Sequence, residues 1–237
     1  MFAISHAPRQ PVKELLHSLH ANFGQNMNAL GQEYDSQLDS IDLNSRIISE
    51  IRTIASENYC NTDAQKKICS EILDEVFTDF SLAMYLSTIG LIVPARMSAR
   101  RAVELGLASV YMWDLPHEYW GWRQRDQDLS FSAMVAHLNS VGYLEYIRQV
   151  HGLESSSAIC DQGKFQVFYR ELSNTVHGKI TGLPPLSPDR FSPDKNGLQN
   201  HLQLIRNTQA AIIQLLFGRF PDLESRIEQA FPQIKRT

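Results

Sequence analysis

The stretch that decides the fold runs from Pro94 to Trp113 and reads PARMSARRAVELGLASVYMW. From Ala102 to Met112 it is apolar on nearly every side of a helical wheel, interrupted by Glu104 and Ser109. A helix that is apolar all round belongs in the middle of a domain. Pro94 is tolerated in a first helical turn, and Pro116 ends the segment. Such a helix needs neighbours that each offer one apolar face, and the flanking sequence supplies them.

Upstream, Val12, Leu15, Leu16, Leu19 and Phe23 keep the three-and-four spacing of an amphipathic helix. A second candidate spans about Ser36 to Asn58, with Leu38, Ile41, Ile47, Ile48, Ile51 and Ile54 as its apolar positions. A third runs from Asn61 to Gly90 through Ile68, Ile72, Val76, Phe80 and Met84. Asn61, Thr62 and Asp63 can each cap its start, and Gly90 can stop it. Downstream, Trp120 to Asp128 is polar and reads as a connector. Ser130 caps a helix that reaches about His151 through Phe131, Met134, Leu138, Val141, Leu144 and Ile147. Asp161 caps another that ends near Gly178. Pro184, Pro185, Pro188 and Pro193 exclude regular structure between Thr181 and Gly197, which reads as an exposed loop. A last long helix covers about Leu198 to Phe217, and a short one follows Pro221. No alternating strand pattern and no internal repeat is present. The expectation is an all-α multi-helix bundle of about seven or eight helices. Residues 91–237 form its main helical domain. Residues 1–90 form an N-terminal helical region, either a lobe of its own or part of the same domain, with no flexible linker at the boundary.

The chain has 237 residues, 43% hydrophobic and 20% charged, which fits a globular protein with a sizeable core and excludes wholesale disorder. Its formal net charge is -4 and its pI near 6.1. A protein that coats nucleic acid is basic, so any nucleic-acid contact here must be local. Cys60, Cys69 and Cys160 form no disulfide framework and no CxxC pair. With the start MFAISHAPRQ, which lacks a basic region leading into an apolar run, they point to a cytoplasmic protein without a signal peptide. No apolar run reaches the roughly 20 residues of a membrane helix. No P-loop, dinucleotide fingerprint or nucleophile elbow occurs, so no nucleotide cofactor is expected. His17 and His20 lack a third ligand at metal spacing, and His117-Glu118 is not part of an HExxH, so no metal site is expected either.

The chemistry-bearing stretch is Gln166 to Lys179, QVFYRELSNTVHGK. On a wheel, Phe165, Phe168, Leu172 and Val176 cluster on one face, with Tyr169 at its edge. Arg170 and His177 are seven apart and return to within about 20° of each other, well away from that face. Ser173 and Asn174 lie between them at the spacings where helical side chains meet. The two ends of this stripe are about 10 Å apart along the axis. They cannot easily bond each other, but both can reach one phosphate. Guanidinium forks onto phosphate oxygens, and imidazole exchanges a proton near neutral pH.

An Arg, six residues and a His late in a helical bundle resembles the HEPN superfamily of α-helical domains. The surrounding YRELSNTVHG is similar to the wording of several bacterial HEPN-like families. Glu171 stands where members often carry Asn, Asp or His. The resemblance is strongest over about Arg96 to Phe217. It implies a metal-independent endoribonuclease, a toxin or antiviral effector, that cuts RNA by attack of the 2′-hydroxyl on the adjacent phosphate. It implies a homodimer whose two Arg-His faces form one cleft. Arg170 and His177 would be catalytic there, and Ser173, Asn174 and Glu171 supporting. Arg100 and Glu104 would face the cleft from the Pro94–Trp113 helix, and Arg96 and Lys179 would touch nucleic acid. Some HEPN toxins carry, two residues after the His, a Tyr that a partner enzyme modifies. Lys179 stands there, so neutralisation by that route is not expected.

Blander readings stand beside these. Arg96, Arg100 and Glu104 also make an ordinary i, i+4 surface ion row. Trp113, Trp120 and Trp122 with Arg123 and Arg125 could stack bases, but packing a connector onto the core is the favoured reading. A non-catalytic helical interaction module, binding a protein antitoxin or regulatory partner, is the runner-up. Glu171 and the negative net charge favour it, with Thr181–Gly197 as a contact element. A binder of small phosphorylated ligands using the same stripe is a third.

Overall fold

A computed structural model describes residues 12–124, 128–151, 158–176 and 195–232. These residues form helices and no strand: α1 Val12–Glu33, α2 Asp35–Asn58, α3 Asp63–Lys67, α4 Asp74–Thr88, α5 Ile92–Asp114, α6 Pro116–Gln124, α7 Phe131–Leu138, α8 Val141–His151, α9 Gln162–Val176, α10 Lys195–Arg219 and α11 Asp222–Ala230. A π turn, Ile68–Leu73, joins α3 to α4 without a break. The all-α expectation holds, with more helices than the sequence pattern resolved.

The central helix is α5. Ala95, Ala99, Ala102, Val103, Met112, Trp113 and every residue from Leu105 to Val110 are buried. Its neighbours are α4, α9, α10, α7, α6 and the π turn. Ser109 survives in this interior because its hydroxyl donates to the Gly106 carbonyl at 2.7 Å. Gly106 is required by closeness: a Cβ there would lie 2.8 Å from Ile212 Cδ1 on α10. The apolar cluster is shared by helices from both halves of the chain, from Leu30 and Ile51 to Leu216 and Ile227. Between α2 and α10, Gln209 Nε2 donates to Ser45 Oγ at 2.9 Å.

Local signals set the helix ends. Thr62 accepts from Gln65 N at 3.2 Å while Gln65 Oε1 accepts from Thr62 N at 3.1 Å, a reciprocal capping box. At the end of α4, Gly90 adopts φ 79, donates to Ser87 O at 3.0 Å, and lets Leu91 N reach Leu86 O at 2.8 Å. That pair of bonds is a Schellman stop, and it needs the left-handed conformation glycine tolerates. Ser130 caps α7 and Asp161 caps α9, through bonds from Ala133 N at 3.3 Å and Lys164 N at 3.0 Å.

Three expectations are corrected. The polar stretch from Trp120 is not a plain connector: α6 extends to Gln124. Tyr119 is fully buried and its hydroxyl donates to Glu71 at 2.9 Å, which holds that helix against the π turn. The single helix expected from Ser130 to His151 is two, divided at Asn139-Ser140, where Ser140 Oγ accepts from Tyr143 N at 3.3 Å. Short polar side chains that bond their own backbone favour such ends over helix interiors. Val12 and Leu16 do not bury a face: they are 72% and 60% exposed. Toward its end α1 is tied down by Asn26 Nδ2 on Thr88 O at 2.6 Å and Phe23 against Tyr85. The proline-rich span Thr181–Gly197 lies almost wholly outside the described residues, and α10 begins within it at Lys195.

One buried ion pair clamps the C-terminal helices. Arg219 on α10 bonds both oxygens of Asp114 at 2.7 and 2.6 Å, with side chains 7% and 5% exposed, and Tyr143 donates to Asp114 at 3.0 Å. Removing one partner of such a pair strands the other charge. Asp114→Ala should therefore cost about 3–5 kcal/mol in urea unfolding. Asp114→Leu combined with Arg219→Met should recover most of that loss; an equal loss in the double variant would contradict this account.

Candidate functional site

Helix α9 carries the candidate stretch, and its core side anchors it. Phe165 and Leu172 are fully buried, and Phe168 packs half-buried against the same cluster. Tyr169 stacks on Phe131 with ring centroids 3.9 Å apart. Arg100 on α5 donates to Tyr169 Oη at 2.6 Å, lies 4.7 Å over its ring, and bonds Glu104 at 3.2 Å. Burial, and next the Glu104 carboxylate, raise the Tyr169 pKa, so the phenol stays a neutral donor. Arg100 and Glu104 thus reach α9, at Tyr169 and not at the Arg170 side chain.

Arg170 and Glu171 are exposed. Asn174 is half-buried, and Ser173 is only 7% exposed, with no hydrogen-bond partner for its Oγ among the described residues. The polar stripe read from the wheel therefore divides. Arg170 stands outside, while Ser173 turns toward the core. His177 and Lys179 lie outside the described residues, as does Arg125. Arg96 on α5 is half-buried; burial lowers its pKa, and the carboxylate of Glu171 opposes that. Arg96 and Glu171 are therefore near one another, which brings α5 to the outer edge of α9.

The sequence reading missed His201. It is 2% exposed on α10, and neither ring nitrogen has a partner among the described residues. The signal was present: His201 sits on the row Leu198, Leu202, Ile205, Thr208 and Ile212, the buried face of α10. Burial, and next the charge of Arg96, push its pKa down to about 4. At neutral pH the ring is uncharged, with one donor and one acceptor nitrogen.

The remaining candidates take structural places. Trp113 packs edge-on to Phe220 at 4.9 Å, and Trp122 lies against the core. Arg123 pairs with Glu71 and with the Tyr119 hydroxyl. His117 meets its neighbour Glu118 at 3.5 Å. His17 and His20 are exposed. Among the described residues no group of three or more His, Cys, Asp or Glu side chains could hold a metal. No described helix is long and apolar enough to cross a membrane. Comparison with family models, curated proteins and solved structures returns no match.

The buried imidazole has a consequence for acid stability. The unfolded chain protonates this histidine near pH 6.5 and the folded chain only near 4. Between those values the unfolded state binds more protons, so stability falls as pH falls. The loss across the window amounts to about 3 kcal/mol at most. Urea titrations of His201→Leu should show a flatter profile between pH 6.5 and 4 than the parent protein, and parallel profiles would contradict the assignment.

Proposed function

We propose that the chain is a metal-independent endoribonuclease of HEPN type, acting as a homodimer. The observation that supports this most is the stance of α9. Phe165 and Leu172 fix one side of the helix in the core while Arg170 projects from the other. Two turns further along the sequence comes His177. A guanidinium on a rigid helix loses little freedom when it grips a phosphate.

In the proposed reaction the RNA 2′-hydroxyl oxygen bonds to the adjacent phosphorus and the 5′-oxygen leaves. One imidazole takes the 2′ proton, and the His177 of the second copy gives a proton to the departing oxygen. Arg170 neutralises charge building on the phosphoryl oxygens. The products are a 2′,3′-cyclic phosphate and a free 5′-hydroxyl, so no water, metal or redox partner is consumed. Glu171, near Arg96, adjusts the charge beside the stripe, and Asn174, three residues before His177 in the sequence, would orient the imidazole. Lys179 and Arg96 extend the contact with RNA. The acidic pI fits a short footprint such as a loop, because long-tract binding needs many basic contacts. The toxin or antiviral role is carried by analogy of fold and motif.

A second reading, a helical interaction module binding a protein partner, is favoured by one observation. The exposed Val12 and Leu16 leave the start of α1 with an uncovered apolar side. Incubation of the pure chain with total RNA in EDTA separates the two. Cuts ending in 2′,3′-cyclic phosphate support the nuclease, whereas intact RNA together with a stoichiometric co-purifying protein supports the module. Arg170→Ala and His177→Ala should each lower cleavage at least about 100-fold with the helical circular dichroism unchanged. Cleavage persisting in both variants rules out this site.

A further inference from the structure

We infer that Cys60 and Cys69 are a redox-active thiol pair, which hydrogen peroxide converts to a reversible disulfide between the end of α2 and the π turn. Both are free thiols, and their Sγ atoms touch at 3.7 Å across nine positions of the chain. An S–S bond needs about 2.0 Å, so the sulfurs have to close by about 1.7 Å.

The junction can supply that movement. Cys60 lies in the short joint between Tyr59, which caps α2, and Thr62, which caps α3. Cys69 stands in the π turn, where the helical hydrogen-bond ring is wider than in an α-helix. Neither sulfur projects from an uninterrupted α-helix, where the backbone would fix its direction most tightly. The two also differ in access. Cys60 is half-buried, whereas Cys69 is 1% exposed. The outer sulfur can meet a small oxidant, and the inner one is sheltered but in contact with the outer. A second thiol in that position captures a sulfenic acid before it is oxidised further to the sulfinic acid.

The reaction balances with peroxide alone. The Cys60 thiolate attacks one peroxide oxygen, the O–O bond breaks, and the departing hydroxide takes a proton from solvent and leaves as water. Cys60 is then a sulfenic acid. Cys69 Sγ attacks Cys60 Sγ, the S–S bond forms, the S–O bond breaks, and the Cys69 proton leaves with the hydroxyl as a second water. Two thiols give up two electrons, and one peroxide becomes two waters. Burial raises the pKa of Cys60, with the contact to Cys69 and the Lys66 ammonium opposing it. Burial, and next the Cys60 sulfur, raise that of Cys69, with Arg52 opposing. The thiolate is the reacting form, so the pair is slow at neutral pH and responds to sustained oxidant.

The bond would grip a junction of several elements. Tyr59, beside Cys60, stacks on Phe220 at 5.1 Å. Glu71, two positions after Cys69, holds Tyr119 and Arg123 of α6. Gln65, inside the loop that the bond closes, donates to the Trp113 carbonyl at 3.2 Å. Oxidation would thus lock the corner where α2, α5 and α6 meet the end of α10. None of this rests on the nuclease reading.

Peroxide treatment of the intact, fully reduced chain at pH 8, followed by alkylation in urea, tests the pair. Mass spectrometry should find one alkyl group where the reduced chain carries three, and a Cys60–Cys69 link within a single chain. Dithiothreitol should restore all three thiols. Cys69→Ala should leave Cys60 as a sulfenic acid that dimedone labels. Cys60→Ser should slow oxidation of Cys69 at least about tenfold. The oxidised parent should melt several degrees above the reduced parent, because the closed loop restricts the unfolded chain. Arg170→Ala should form the same bond as the parent. The inference is overturned if the parent keeps three alkylatable thiols, if the bond joins two chains or takes in Cys160, or if the oxidised chain melts lower than the reduced one. The link map and melting of the parent decide the matter even where a cysteine variant does not fold.

Discussion

The structure depends on the burial of α5. A helix with apolar atoms on every side gains stability only when it is surrounded, because each exposed side chain forgoes roughly 25 cal/mol per Å² of apolar surface. α4, α9, α10, α7, α6 and the π turn provide that enclosure. Gly106 sets how near α10 comes, with Ile212 filling the space a Cβ would need. The placement of α9 and α10 follows from this one demand. So does the position of everything polar that they carry.

The polar residues of α5 are those the enclosure leaves at its edges. Arg101 pairs with the buried Asp79 at 2.9 Å and with Glu75 at 2.7 Å, fixing α4. Arg100 spends its charge on Tyr169 and Glu104, fixing α9. Arg96 lies one turn nearer the end of the bundle, where Glu171 and His201 approach it from two different helices. The charged residues of α5 thus tie it to a different neighbour at each level of the bundle.

The four-residue repeat Ile68, Ile72, Val76, Phe80 and Met84 illustrates how sequence and geometry negotiate. Four residues overshoot a 3.6-residue turn by about 40° at each step, so a straight α-helix would rotate the later members off the core. The wider π turn at Ile68–Leu73 takes up part of that drift. Ile68, Ile72, Val76 and Phe80 all stay buried as a result. The apolar positions were legible in the sequence, but the π geometry was not, because it is a compromise reached only when the helix is pressed against α5 and α2.

Taken alone, the sequence determined what depends on near neighbours. The all-α class followed from periodicity, the central role of α5 from its nearly all-round apolar run, and the caps at Thr62, Gly90, Ser130 and Asp161 from backbone groups within a few residues of each side chain. Tertiary structure alone decided what depends on partners distant in the chain. It turned Ser173 inward and left Arg170 outside, though both sit on one arc of the wheel. It made Trp120 part of a helix through the bond from Tyr119 to Glu71, and it left Val12 and Leu16 uncovered. It also enclosed His201 beside Arg96, 105 positions away in the chain. A wheel gives the angle of a side chain about its own axis, whereas burial is set by which other helix occupies that angle, and only the packed bundle fixes that.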